Sequence, residues 1–233
     1  MNVLIYCKVW RRPRITWITY LGILRIQQKL KQYGMSSRVL IVSSQTAHDK
    51  LAQCFGFDVF HTENSPLGAK QNRGLIRSLD YEWDYMFEMG SNNLLSDRYI
   101  EDWAQCATDG VKLFGSRTFH IQHESGEVHK FVCKPGKMSG VGRGIHRKLL
   151  EKVYKAYGKI CSTTINKGLD FDLRVRIQRS SNTKPKILNH GDTPAIIDMK
   201  TGEDVNEHKL KKVTDHTTND LQEIFPEIIH LSI

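Results

Sequence analysis

The sequence predicts an α/β fold, a mainly parallel sheet with helices on both faces and a smaller antiparallel part behind it. Two observations carry this. Short apolar runs (Asn2–Val9, Arg38–Ser43, Phe57–His61, and the run ending at Met89) alternate with segments of helical period or helix-length spacing. Such alternation is how parallel strands and their covering helices are written in a chain. Past Gly110 the texture changes to runs paired around turn residues, Val111–Phe119 and Glu127–Cys133 flanking Glu124-Ser125-Gly126. At 233 residues, 39% of them hydrophobic and 25% charged, the chain suits one domain with a real core.

In order, Asn2–Val9 reads as a first buried strand. A basic loop without glycine, Trp10-Arg11-Arg12-Pro13-Arg14, follows it. A dinucleotide-binding fold wants GxGxxG at that place, so that class is disfavoured. Ile15–Tyr33 carries two apolar lines at helical spacing, Trp17/Leu21/Leu24 and Ile23/Ile26/Leu30/Tyr33, and Gly34 closes the helix. Arg38–Ser43 is the second strand, Thr46–Phe55 a short helix closed by Gly56, and Phe57–His61 the third strand. A loop with Asn64 and Pro66 feeds a helix opening with Lys70, Asn72 and Arg73, whose N-terminus suits a diphosphate.

The stretch around which the rest is organised is Asp84–Arg98. An apolar run stops abruptly at Gly90-Ser91-Asn92-Asn93, and a helix follows from Asp97 to about Ala107. Strand, polar corner, helix is where an open α/β sheet places ligand chemistry. Further on, Lys134–Gly144 reads as a basic, glycine-rich loop entering a helix at Ile145–Tyr157, and Leu169–Gln178 as a helix with Asp170 and Asp172 near its start. His120 and His123 have a spacing that puts them on opposite faces of a strand, against a metal pair. Ile187–Asn189 and Ala195–Met199, with the turn Lys200-Thr201-Gly202, suggest a late hairpin carrying His190 and Asp198. The end of the chain reads as a charged peripheral tail with a short helix near Asn219–Ile224.

The 34 basic and 25 acidic side chains leave a charge of +9, which favours a polyanionic partner, nucleic acid or nucleotide phosphate. Five scattered cysteines without a CxxC pair argue against a disulfide framework or a zinc site. No basic leader precedes the first apolar run, and Ile15–Ile26 is interrupted by Thr16, Thr19 and Arg25. A soluble protein of the cytoplasm, or of the host cytoplasm if phage-encoded, is the expectation.

Taken as an ordered set, several pieces resemble the GT-A type glycosyltransferases, close to the family-two-like enzymes in their small bacterial and bacteriophage forms. They are Val3–Arg14, Asn64–Asn72, Gly90–Asn93, Gly142–Arg147, Gly168–Asp172 and Ile196–Thr201. The resemblance implies a single domain over 1–205, with a nucleotide-sugar half (1–109), an acceptor half (110–205) and a charged extension (206–233). It implies a nucleotide-sugar donor, a UDP-sugar first, held by Arg11, Arg12, Asn64, Lys70, Asn72, Ser91, Asn92, Asn93 and Arg143. Asp170, with Asp172 close behind, is the general base that the resemblance assigns. In the family the corner after the fourth strand carries an Asp-x-Asp motif that holds a divalent metal, Mn or Mg, on the diphosphate. Here it reads Ser91-Asn92-Asn93, with Asn93 and, by analogy, His190 as the remaining ligand candidates. A neutral amide carbonyl is a much poorer ligand than a carboxylate. Either metal binding is weak and basic side chains neutralise the leaving phosphate, or the activity is altered or lost. Hydroxymethylated cytosine in phage DNA is the expected acceptor. A cell-surface glycan or lipid-linked sugar is the alternative, and a silent domain that binds nucleic acid is a third reading.

Overall fold

The computed structural model describes residues 1–123, 125–200 and 218–232. Its first sheet is assembled from β1 (Asn2–Lys8), β2 (Ser36–Ser43), β3 (Asp58–His61), β4 (Tyr85–Gly90), β6 (Leu113–Ser116), β9 (Gly144–His146) and β10 (Lys186–Leu188). The order is β10-β6-β9-β4-β1-β2-β3. All neighbours are parallel except β9, which runs antiparallel between β4 and β6. A second sheet, β5-β11-β7-β8, combines β5 (Asn93–Leu95), β7 (Thr118–His123), β8 (Val128–Val132) and β11 (Ile196–Lys200).

The apolar runs are continuous because the large sheet is covered on both faces, as buried parallel sheets require. Alternate residues of β1 divide between the covers. Val3, Ile5 and Cys7 pack with α1 (Pro13–Gln32), α2 (Thr46–Cys54) and α4 (Asp97–Thr108). Leu4 and Tyr6 pack with α3 (Leu67–Ser78), α5 (Arg147–Tyr157) and α6 (Leu169–Ser181). Of the two apolar lines on α1, the one through Ile23, Ile26 and Leu30 is the buried one, whereas Leu24 and Tyr33 are exposed. Two isoleucines and a leucine, each worth about 1.5–3 kcal/mol when fully buried, fix that orientation.

Four expectations are corrected. The run Val111–Phe119 divides at Arg117, and its two parts enter different sheets as β6 and β7. Ile187–Asn189 and Ala195–Met199 form no hairpin, because β10 joins β6 and β11 joins β5 and β7. Ile145 and His146 begin as strand β9 before the helix opens at Arg147. The tail is not peripheral over its described part. Leu221 of α7 (Thr218–Ile224), Phe225 after it and Ile228 of a 3-10 turn (Pro226–Ser232) are fully buried against Ile15, Ile18 and the second sheet. Arg25 fastens this end: its Nε donates to Glu227 Oε1 at 2.6 Å and its Nη2 to the Leu95 carbonyl at 2.6 Å. Glu124, Thr201 and Gly202, parts of two expected turns, lie outside the described residues. No helix of the described residues is long and apolar enough to cross a membrane.

Strand register places the corner. Lys8 at the end of β1 pairs with Val42 of β2 and Gly90 of β4, so all three chain ends stop at one level. The chain turns at Gly90, and Asn93 of β5 then lies opposite Asp198 of β11. The two sheets therefore meet at residues 90–93.

Candidate functional site

A cavity of about 430 Å³ opens at that junction, at the carboxyl ends of β1 and β4. Its floor is Lys8, Glu88 and Gly90; its walls are the 9–12 loop, the start of α3, the 90–93 corner and the segment 138–141. Phe119 and Phe131 face it from the second sheet, and Asp170, Asp198 and Lys200 complete it. Five cations (Lys8, Arg11, Arg12, Lys70 and Lys200) face three carboxylates in this space. That balance suits a ligand with more than one negative charge.

Of the residues singled out in the sequence, Arg11, Arg12, Asn64, Lys70, Ser91, Asn92, Asn93 and Asp170 line this cavity. Arg11 and Arg12 both have positive φ, 55° and 53°, a left-handed conformation uncommon outside glycine. The Gln45 side chain accepts from Arg11 N at 2.7 Å, and Arg12 Nη2 donates to Ser91 Oγ at 3.3 Å. The loop after β1 is thus tied to the corner after β4. Lys70 is fully buried, and its ammonium donates to Val9 O (2.6 Å), Asn64 Oδ1 (3.1 Å) and Ser44 Oγ (3.2 Å). Burial and the neighbouring Lys8 ammonium push its pKa down to about 8.

Four of the singled-out residues stand elsewhere, each for a visible reason. Asn72 accepts from the backbone N–H groups of Ile160 and Cys161 at 2.8 and 3.2 Å. Asp172 accepts from Ser162 N at 2.6 Å and pairs with Arg176 at 3.0 Å. Together they hold the segment between α5 and α6. His190 bonds to Asp102 at 3.0 Å beside the Tyr99 ring, away from the 90–93 corner. Arg143 is wholly buried, with its guanidinium on Glu88 Oε2 at 3.0 Å through Nε and 2.5 Å through Nη2. It does not line the cavity, but its Nη1 donates at 3.2 Å to the carbonyl of Asp170, which does. Arg147, at the end of the same stretch, donates to the carbonyls of Leu79 and Tyr81.

Glu88 is the pivot beneath the cavity. Burial would raise its pKa, but the Arg143 guanidinium and the Lys8 ammonium, 3.2 Å from Oε1, together hold it below the usual glutamate range. The sequence left Glu88, Lys8, Asp198 and Lys200 without a part in the site. A signal for Asp198 was present: a single carboxylate inside the apolar run Ala195–Met199.

The corner does not fit a divalent cation. Asn92 Nδ2 donates to Asp198 Oδ1 and, at 2.9 Å, to Met199 O. Both partners are acceptors, so the nitrogen end of that amide is fixed toward Asp198. Asn93 Oδ1 accepts from Gly90 N at 2.9 Å, which closes the turn. Asp198 Oδ2 lies 3.0 Å from Lys200 Nζ. Hard cations need several free oxygen ligands, and here one carboxylate is shared between an amide and an ammonium. Among the described residues no group of three or more His, Cys, Asp or Glu is placed to hold a metal.

The mostly parallel seven-stranded sheet, helices on both faces and smaller sheet beyond the fourth strand define the GT-A glycosyltransferase fold. S. aureus TarS shares it, with a TM-score of 0.58 at 10% identity over 87% of this chain and 37% of that one. TarS 1–349 in complex with UDP-GlcNAc gives 0.57 at 13% identity over 99% of this chain and 66% of that one. Its complex with UDP gives 0.55 at 11% identity, over 99% and 65%. This chain therefore spans between about a third and two thirds of the length of those proteins. No protein-family model matches it, and no curated protein sequence does.

Proposed function

We propose that the protein transfers a sugar from a UDP-sugar to an acceptor hydroxyl. The observation that carries this reading is the cationic cavity at the ends of β1 and β4, with Asp170 at its edge. It is supported by the likeness in fold to a protein whose structures hold UDP-GlcNAc and UDP. The loop 9–12, Asn64 and the 90–93 corner hold the nucleotide, and Lys70 beneath them fixes the Val9 carbonyl and the Asn64 side chain. Asp170, whose side chain is half exposed, takes the proton of the acceptor hydroxyl as the acceptor oxygen bonds to the anomeric carbon. The bond from that carbon to the diphosphate breaks, and UDP leaves with the electron pair.

For the acceptor, hydroxymethylated cytosine in DNA remains the preferred reading, and a glycan or lipid-linked sugar the alternative. Its support lies beside the base. Phe171 is 52% exposed, with Lys137 Nζ 4.9 Å and the Arg174 guanidinium 5.2 Å from its ring centre. An exposed aromatic ring among cations is a platform on which a nucleobase stacks, and an enzyme acting on a base must take it out of the duplex.

The test is incubation with UDP-GlcNAc and UDP-glucose, each with hydroxymethylcytosine duplex, unmodified duplex or a lipid-linked acceptor, reading UDP release and acceptor mass. A hexose-sized mass gain on the modified duplex alone is the expected result. Transfer to the lipid-linked acceptor selects the alternative. Salt-sensitive DNA binding without UDP release from any donor refutes the transferase reading and selects the silent module.

Gly140 supplies a second test. A Cβ there would run into the Asp170 carboxylate, the mobile end of an exposed side chain. The carboxylate yields before the backbone does. Gly140 is itself buried, but the nearest atoms to that Cβ all belong to the Asp170 side chain, so Gly140→Ala is expected to keep the fold, read by a thermal melt, while UDP release in the presence of acceptor falls at least tenfold.

A further inference from the structure

We infer that Lys200 supplies the positive charge that neutralises the nucleotide diphosphate, in the corner where the GT-A fold ordinarily carries a metal. This rests on the UDP-sugar reading and names the group that completes it. The leaving diphosphate gains charge as its bond to the sugar breaks, and a positive group fixed beside it lowers that barrier. Three features of the corner assign the task to an ammonium. Lys200 ends β11 opposite His123 of β7, so its place is set by strand register. Its side chain is only 12% exposed and faces the cavity. Its partner Asp198, 11% exposed and bound on its other oxygen to Asn92, holds the ammonium in the corner. Arg12, hydrogen-bonded to Ser91 across the same corner, adds a second cation.

This arrangement inverts the usual role of a carboxylate in such a corner. Asp198 holds a cation that belongs to the chain and does not ligate one from solution. Asp198→Asn therefore removes no ligand of a metal, and the amide oxygen can still accept from the Lys200 ammonium.

The experiment is calorimetric titration of the full chain with UDP, in EDTA and in manganese, for the parent and three variants. Thermal melts accompany each variant. UDP is expected to bind equally with EDTA and with manganese. Lys200→Gln weakens binding at least tenfold, and Lys200→Arg restores most of it because a guanidinium keeps the charge. Asp198→Asn still binds UDP in EDTA, with no requirement for manganese. Binding that needs manganese and is lost in Asp198→Asn overturns the inference while leaving the UDP-sugar reading standing. Failure of UDP to bind in both EDTA and manganese overturns the two together. Should Lys200→Gln melt early, the comparison of Asp198→Asn with the parent decides alone.

Discussion

Asp170→Asn is expected to lower sugar transfer by about 10²–10⁴-fold, the usual contribution of a positioned general base, with UDP affinity nearly unchanged. The amide keeps the shape of the side chain but removes its charge, its capacity to take a proton and a 3.8 Å ion pair with Arg143. The backbone carbonyl still accepts from Arg143, whose guanidinium keeps Glu88, so the fold should respond little. Asp172→Asn is the matched control. That carboxylate receives the Ser162 N–H and the Arg176 guanidinium, and its loss loosens the join between α5 and α6. A lower melting point with turnover per folded molecule retained is the expected result for Asp172→Asn. If Asp170→Asn turned over at the parental rate, the base would have to be sought elsewhere.

The contrast between those two aspartates shows where the sequence is legible and where it is not. Both sit in the first turn of one helix, two residues apart, and nothing in the spacing tells them apart. The difference is tertiary: residue 170 looks over the 138–141 segment into the cavity, while residue 172 looks back at residue 162. Arg143 and Asn72 show the same limit, because a polar side chain that satisfies buried backbone and one that binds ligand are the same letter. The parallel framework was legible, since strands buried on both faces must be written as apolar runs. The three-residue strands β5 and β9 carry no periodicity to read, and β9 enters the large sheet between β4 and β6 only through pairing. The likeness of the corner to a metal site could be read from order along the chain. That Asp198 and Lys200 would meet Asn92 there depended on β11 pairing with β5, a contact between residues about a hundred positions apart.

Arg143→Met is expected to destabilise the fold by about 3–5 kcal/mol, the cost of leaving one member of a buried ion pair without its partner. Glu88 is 2% exposed and Arg143 not at all, so water cannot replace the missing guanidinium. Lys8 remains on Glu88 Oε1, but it also donates to Gln71 at 3.0 Å and answers only one oxygen. Glu88→Gln should cost a similar amount, because it strands the guanidinium instead. The pair Glu88→Gln/Arg143→Met should recover a large part of either loss, since two buried charges then leave together. The pH dependence has a definite sign. Glu88 is held below its ordinary value of 4.5 in the folded chain. Its contribution is therefore complete above about pH 4.5 and fades as the pH falls through the lower folded value. Denaturant melts of the four proteins at neutral pH and at successively lower pH measure this directly. The parent should lose stability on acidification more steeply than the double variant. Should Arg143→Met melt within about 0.5 kcal/mol of the parent, the usual range for a surface change, the pair would not anchor the cavity floor. Asp170 would then owe its position to α6 alone.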